Sequence, residues 1–186
     1  MDSRLKPLSG RQRVRPIRRV GEVAYVPLTQ GYEAIIDAAD IEKVTGRNWY
    51  AIRERRSGRV SAATSDVADG KKQTIYMHRV ILPAGDLMVD HASGDALDNR
   101  RANLRAATPS QNTANCHSPI KNKSGMKGVW YDAKRGVFAV HIGVRGKRKH
   151  LGRYKSAGEA ANAYDFAAIK FFGEFAKVNQ ALSHGQ

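Results

Sequence analysis

The sequence predicts an α+β protein in two parts, and three observations carry that expectation. A strand, a loop and a second strand run into a helix start across residues 88–115. Three short strand signals and one alanine-rich helix follow across residues 129–173. Between them "CHSPIKNKSGMKG", residues 116–128, is polar, contains Pro119 and Gly125 and shows no apolar period. With 186 residues, 41% of them hydrophobic, the chain can build one ordinary domain or two small ones.

Residues 1–20 alternate arginine with small and polar residues, include Pro7 and Pro16 and lack an apolar period, which predicts a disordered or loosely docked arm. A first domain is then expected over 21–118. It begins with a strand from Val23 to Leu28, a turn at Gln30 and Gly31, a second strand, and a short helix from about Ala38 to Val44. "YAIRERRSGRVSAATS" places Ser57 and Gly58 between alternating segments and reads as a hairpin. Tyr76 to Leu82 reads as a strand or a short helix. A linker is expected at 119–124, a second domain at 125–180 and a tail at 181–186. The second domain has strands in "GVWY", "VFAVHIGV" and "KRKHLGRY", with turns at Lys134 to Gly136 and at Arg145 and Gly146. Ser156 with Glu159 three residues on forms a capping-box pattern, and Ala160, Ala163, Tyr164, Ala167, Ala168 and Phe171 recur at helical spacing up to Gly173.

The net charge of +15 is unevenly divided. Residues 1–19 carry seven Lys/Arg against one acid, and residues 121–186 carry thirteen against four, whereas 20–120 hold twelve of each. Basic flanks fit a polyanion partner, because each cation set against a phosphate releases condensed counterion. No apolar run approaches the roughly 20 residues needed to cross a bilayer, and the basic N-terminus leads into no apolar signal-peptide stretch. A soluble intracellular protein is expected, with no membrane partner. Cys116 is the only cysteine, so neither an internal disulfide nor a Cys-x-x-Cys pair for structural zinc is expected, and it reads as a small buried hydrophobe.

The neutral middle contains "VDHASGDALDNRRANLR". Asp90 and His91 are adjacent, so on an extended strand they point to opposite faces and serve one site only at a strand end or bend, which the loop "ASGDALDN" supplies. Thr108, Pro109 and Gln111 fit the N-cap, N1 and N3 positions of a helix, with Asn112 in its first turn. Asp and Asn oxygens are hard ligands suited to Mg²⁺ with waters and substrate phosphate, and a neutral histidine beside them can take a proton from water. Such a set fits phosphodiester hydrolysis. On chemistry alone the reading stays open, since Asp95, Asp98 and Asn99 are also residues that favour turns.

The run "MHRVIL…VDHASGDALDNRRANLRAATPSQNTAN" resembles the His-Asn-His (HNH) endonucleases of bacteriophages and introns over residues 76–115, with the preceding strands resembling their N-terminal extension. The resemblance implies a ββα-metal (His-Me finger) fold and metal-dependent cleavage of double-stranded DNA. It implies one divalent cation per active site, Mg²⁺ or Mn²⁺, held by Asp90 and Asn112, with His91 as general base and Asn103 orienting loop and histidine. Asn112 stands where many relatives have histidine, which makes this the HNN-type variant. Asn99 is the alternative for the orienting role, Asn115 is structural or a substrate contact, and His78 packs or touches phosphate. Arg100, Arg101 and Arg105 are expected either at DNA phosphates or in salt bridges to Asp95 and Asp98. If phage-encoded, the protein would work in the bacterial host cytoplasm, as a monomer that nicks or as a homodimer that cuts both strands. The alternative is a catalytically inactive, sequence-specific DNA-binding regulator.

"KGV", "HLGRY" and "EAANAYDFAAIKFFGEFAKVN" make residues 124–179 resemble the Apetala-2/ethylene-response-factor (AP2/ERF) DNA-binding domain, which reads the major groove with one sheet face. Strand alternation assigns Val129, Val140, Ile142 and Leu151 to the helix side, and Trp130, Ala139, His141, Arg148 and His150 to the duplex. Lys127, Lys134, Arg135 and Lys147 would add phosphate contacts, and Tyr164, Phe171 and Phe172 are read as core. His141, Gly143 and His150 replace the Glu, Arg and Trp usual in plant members, so the plant target sequence does not transfer.

Overall fold

The computed structural model describes residues 14–55, 57–68, 70–115 and 122–179. β1 (Arg18–Val20), β2 (Val23–Pro27) and β3 (Glu33–Asp37) form an antiparallel meander. A 3-10 turn at Ala38–Asp40 leads into α1 (Ile41–Val44), and a second antiparallel sheet follows as β4 (Tyr50–Arg53), β5 (Val60–Ala68) and β6 (Lys71–Tyr76). Tyr76 to Leu82 resolves into α2 (Met77–Ile81), whose Met77 and Ile81 are fully buried. β7 (Met88–His91) and β8 (Leu104–Ala107) then pair as a hairpin that delivers the chain to α3 (Pro109–Ala114).

The C-terminal part is a three-stranded antiparallel sheet, β9 (Val129–Asp132), β10 (Val137–Val144) and β11 (Lys147–Tyr154), covered on one face by α4 (Ala157–Phe172). Both capping boxes are formed: Thr108 with Gln111 starts α3, and Ser156 with Glu159 starts α4. Each gives two helix-end N–H groups a partner that the first turn alone cannot supply. No helix of the described residues is long and apolar enough to cross a membrane.

Two cores form. The first gathers Ala24, Val26, Ile36, Val44, Trp49, Met77 and Ile81 with Val89 and Leu104 of the hairpin. The second gathers Val129, Val140, Ile142, Ala160, Tyr164, Ala168, Phe172 and Phe175 with Ala107 of β8 and Ala114 of α3. The hairpin therefore lies between the cores and contributes to both, and α3 contributes to the second.

Four expectations change. Residues 14–20 are not a loose arm: Arg18–Val20 pair with β2, Ile17 packs on the first core, and Arg15 Nη1 donates to the Trp49 carbonyl at 2.8 Å. The arginine-rich pattern hid this, since β1 is exposed throughout and shows no alternation; residues 1–13 lie outside the described residues. β6 also escaped the sequence reading, because four of its six residues are exposed and the period-2 signal is absent. Phe171 is 38% exposed while Phe172 is in the core, because the buried helix stripe runs through Ala160, Tyr164, Ala168 and Phe172 at intervals of four. The expected linker lies in part outside the described residues, as does Cys116, and its described end is a knit turn in which Asn122 Nδ2 donates to the Met126 carbonyl at 2.7 Å.

Gly128 sits at φ +72°, where a Cβ would overlap the Tyr164 ring and lie 2.6 Å from the His141 carbonyl oxygen. Backbone strain and overpacking then act together. Gly128→Ala should cost roughly 3 kcal/mol or more of C-terminal stability, read as a lowered urea midpoint; an unchanged midpoint would contradict this packing.

Candidate active site

In the β7–β8 hairpin Asp90 pairs with Arg105 and His91 with Leu104. Opposed residues share a face, so Asp90 looks toward α3 and the second core while His91 looks toward the first. His91 is the last residue of β7, and there the strand end lets both side chains border one cleft. That cleft, of about 350 Å³, is lined by Asp90, His91, Asn112, His78, Arg53 and Arg59, among others.

Asp90 is only 3% exposed. Its Oδ2 accepts from Arg105 Nε at 2.9 Å, and Asn115 Nδ2 lies 3.0 Å from both carboxylate oxygens. Asn112 is one turn into α3, with its amide nitrogen donating to Met88 Sδ at 3.7 Å, which leaves the carbonyl oxygen as the acceptor it offers to the cleft. Among the described residues no group of three or more His, Cys, Asp or Glu is arranged for a metal. The cleft thus provides one carboxylate and one amide oxygen, a sparse hard set of the kind suited to a divalent cation that keeps several waters.

His91 is likewise 3% exposed, and its Nε2 lies 3.4 Å from Asn99 Oδ1. Asn99 Nδ2 donates to the Leu97 carbonyl at 3.0 Å, which orients the amide and makes Oδ1 an acceptor. The proton of a neutral His91 is therefore assigned to Nε2, leaving the Nδ1 lone pair. Burial pushes His91 below its ordinary pKa, opposed by the Asn99 hydrogen bond and reinforced by Arg59. His78 packs edge-on against His91 with centroids 5.1 Å apart and stacks on Tyr76. Burial, with the positive charge of His91, Arg79 and Arg59, lowers His78 to about 3.

Asn103 holds the loop and does not contact the imidazole directly. Its Oδ1 accepts from Ser93 N at 2.8 Å and its Nδ2 donates to the Asp98 carbonyl at 2.7 Å. The orienting work is thus split, with Asn99 on the ring and Asn103 on the loop. Asp95 and Asp98 are turn makers: they accept from Leu97 N at 3.0 Å and Arg100 N at 3.2 Å. The loop is also pinned to β3, where Asn99 N donates to the Ile35 carbonyl at 2.7 Å.

The three arginines after the loop are all ion-paired. Arg100 makes a two-pronged contact to Asp98, at 2.8 and 2.7 Å. Arg101 does the same to the buried Asp40, at 2.8 and 2.7 Å. Burial pushes Asp40 upward, but hydrogen bonds from Arg101 and Lys43 outweigh it and leave the carboxyl below its ordinary value. Arg105 pairs with Asp90, and neither it nor Arg101 touches Asp95 or Asp98. Arg59 is a cleft residue that sequence reading passed over, its buried Nε without a partner. It stands in a run of arginines, and only tertiary packing singles it out.

A second surface lies on the uncovered face of the C-terminal sheet. Trp130 is 51% exposed with Arg148 6.0 Å above its ring, and His141 Nε2 lies 3.3 Å from His150 Nδ1. An open groove of about 900 Å³ runs between this face and the start of α3, bordered by Trp130, His141, Lys147, Arg148, Ser110 and Thr113. A bulge in β11 shifts the register after Val140, so that Ala139 opposes Arg153. Arg153 therefore shares the face of Trp130 and His141, where unbroken alternation would have excluded it. Lys134 is exposed, and Arg135 is mostly exposed but pairs with Asp132 at 2.9 Å. Lys127 donates through its ammonium to the Ala114 carbonyl, which draws it toward the end of α3.

Residues 76–114 match the family model described as HNH endonuclease, the segment that carries β7, β8 and α3. That segment is similar to HNH endonucleases. It is 32% identical over 95 residues to an uncharacterized HNH endonuclease of Acanthamoeba polyphaga mimivirus, covering 51% of this chain and 48% of that one. It is 33% identical over 63 residues to protein 3.8 of Escherichia phage T7, covering 34% of this chain and 52% of that one. It is also 42% identical over 65 residues to rice APETALA2-like protein 2, covering 35% of this chain and 15% of that one.

The cleft carries a stability signature. Unfolded His78 titrates near its ordinary value and folded His78 only near 3, so below pH 6.5 the unfolded chain binds more protons and the fold loses stability. His78 alone should cost about 2 kcal/mol between pH 7 and pH 5. Denaturant titrations at the two pH values should give His78→Gln a smaller loss than wild type; equal losses would refute the assignment.

Proposed function

We propose that the chain is a divalent-metal-dependent DNA endonuclease that hydrolyses phosphodiester bonds at sites positioned by its C-terminal module. The observation that carries this is the convergence of Asp90, His91 and Asn112 on one cleft within the HNH segment. Asp90 and Asn112 would hold the cation through their side-chain oxygens. When bound, Mg²⁺ or Mn²⁺ supplies Lewis-acid polarisation of the phosphate and offsets charge on the leaving oxygen. His91, neutral at physiological pH, takes the proton of the attacking water on Nδ1 while its Nε2–H stays on Asn99. Asn103 keeps the loop, and through it the ring, in place. Arg59 borders the same cleft and offers its unpartnered donor to a phosphate oxygen.

In this reading the hairpin and α3 form a ββα-metal unit, and an AP2/ERF-like module comes after it. The uncovered sheet face, with Trp130, His141, His150, Arg148 and Arg153, is read as the duplex-binding surface. The similarity to a rice protein named APETALA2-like supports it. Connection to this module raises the local concentration of the nuclease at DNA.

Two measurements test the reading. Wild type should nick supercoiled plasmid with Mg²⁺ and lose that activity in EDTA, and His91→Ala should be at least about 100-fold slower. Equal cleavage by both proteins, or none by either, rejects the nuclease. Separately, Arg153→Ala should weaken binding to unrelated duplexes to a similar degree and lower the slope of log affinity against log salt by about 1. An unchanged slope removes Arg153 from the surface.

A further inference from the structure

The Arg105 side chain joins parts of the molecule that are distant in sequence. Its Nε and Nη2 both lie 2.9 Å from Asp90 Oδ2, and its Nη1 donates to the Glu174 backbone carbonyl at 2.8 Å. Its guanidinium carbon lies 4.0 Å from the centroid of the Phe175 ring. Glu174 and Phe175 belong to the 3-10 turn Gly173–Phe175 that follows α4. That turn is fixed in its own right, since Phe175 is buried in the second core and Lys177 N donates to the Ala114 carbonyl at 3.3 Å.

Asn115 closes the arrangement from α3. Its Nδ2 reaches both Asp90 oxygens and also donates to the His91 carbonyl at 2.9 Å. A carboxylate has about four acceptor positions. Among the described residues Oδ2 serves both Arg105 and Asn115 and Oδ1 serves Asn115, so Oδ1 is the oxygen with more acceptor capacity for a cation.

We propose that Arg105 and Asn115 are positioning residues for Asp90, and that the turn at 173–175 completes the catalytic site by holding Arg105. This rests on the nuclease reading above, in which Asp90 is a cation ligand. A phosphate contact does not fit an arginine whose side chain is 17% exposed and engaged at all three nitrogens. A planar guanidinium stacked on Phe175 directs its in-plane donors to Asp90 and to Glu174, and an ammonium has no such plane. The C-terminal module then has a second task besides holding DNA. When its last turn is displaced, Asp90 loses the partner that fixes its orientation, and metal binding weakens without any change in the residues of the cleft.

Charge-preserving variants isolate this effect, because removing the arginine charge would itself alter cation affinity. Arg105→Lys keeps the charge and loses the fork, and Phe175→Leu keeps apolar volume and loses the ring face. In the full chain, free Mn²⁺ would be titrated by electron paramagnetic resonance without DNA, and the Mg²⁺ dependence of plasmid nicking measured alongside. Thermal melts and duplex binding in EDTA report folding. Arg105→Lys should weaken Mn²⁺ binding about tenfold or more and raise the half-saturating Mg²⁺ concentration by a similar factor. Phe175→Leu should do so by about two- to fivefold. Folded variants that bind Mn²⁺ as wild type does overturn the coupling, and if Arg105→Lys fails to fold, Phe175→Leu decides by the same criterion. Wild-type nicking that His91→Ala abolishes, with unaltered Mn²⁺ affinity in these variants, leaves the nuclease standing and the coupling refuted. Weakened Mn²⁺ binding in a chain that never nicks leaves the reverse. A wild type that neither binds Mn²⁺ nor nicks overturns both.

Discussion

The buried Asp90 carboxylate is the constraint around which this molecule is arranged. A carboxyl group at 3% exposure is tolerated only when its oxygens are occupied by donors, and removing one partner of a buried ion pair costs roughly 3–5 kcal/mol. Asp90 obtains those donors from β8 through Arg105 and from α3 through Asn115. Arg105 in turn needs the Phe175 ring and the Glu174 carbonyl. One carboxylate thereby ties the hairpin, α3 and the end of the C-terminal module together, and the second core, which takes in Ala107 and Ala114, grows around that connection.

The opposite face of the hairpin solves a different problem. His91 is buried against His78 and the first core, where the charged imidazolium is disfavoured, so the neutral ring is favoured. Its orientation comes from Asn99, and the loop that carries Asn99 is fixed by Asn103 and by pairing to β3. Two adjacent residues thus acquire different surroundings, a carboxyl group held among donors beside an imidazole packed on another ring, because a strand turns successive side chains to opposite faces.

Local signals carried much of this. Thr108, Pro109 and Gln111 announced the start of α3, Ser156 and Glu159 that of α4, and alternation in "VFAVHIGV" separated Val140 and Ile142 from His141. Each rests on neighbours within four residues. The misreadings have the opposite character. β1 is visible only once β2 lies beside it, Arg153 joins the exposed face only because of a bulge, and Phe171 lost its place in the core to Phe172 by one step of helix phase.

The residue types and spacing of Asp90, His91, Asn103 and Asn112, the caps that start both long-range helices, and the division into a neutral middle and basic flanks were determined by the sequence alone, since propensity, capping and charge are local or additive. The destinations of Arg101 and Arg105, the division of labour between Asn99 and Asn103, and the inclusion of Arg59 and Asn115 at the site were decided only by the tertiary structure. An arginine carries no mark of which carboxylate it will meet. Its partner is chosen by which surfaces the cores bring together, and here it is the meeting of two cores across one hairpin that gives Asp90 its partners.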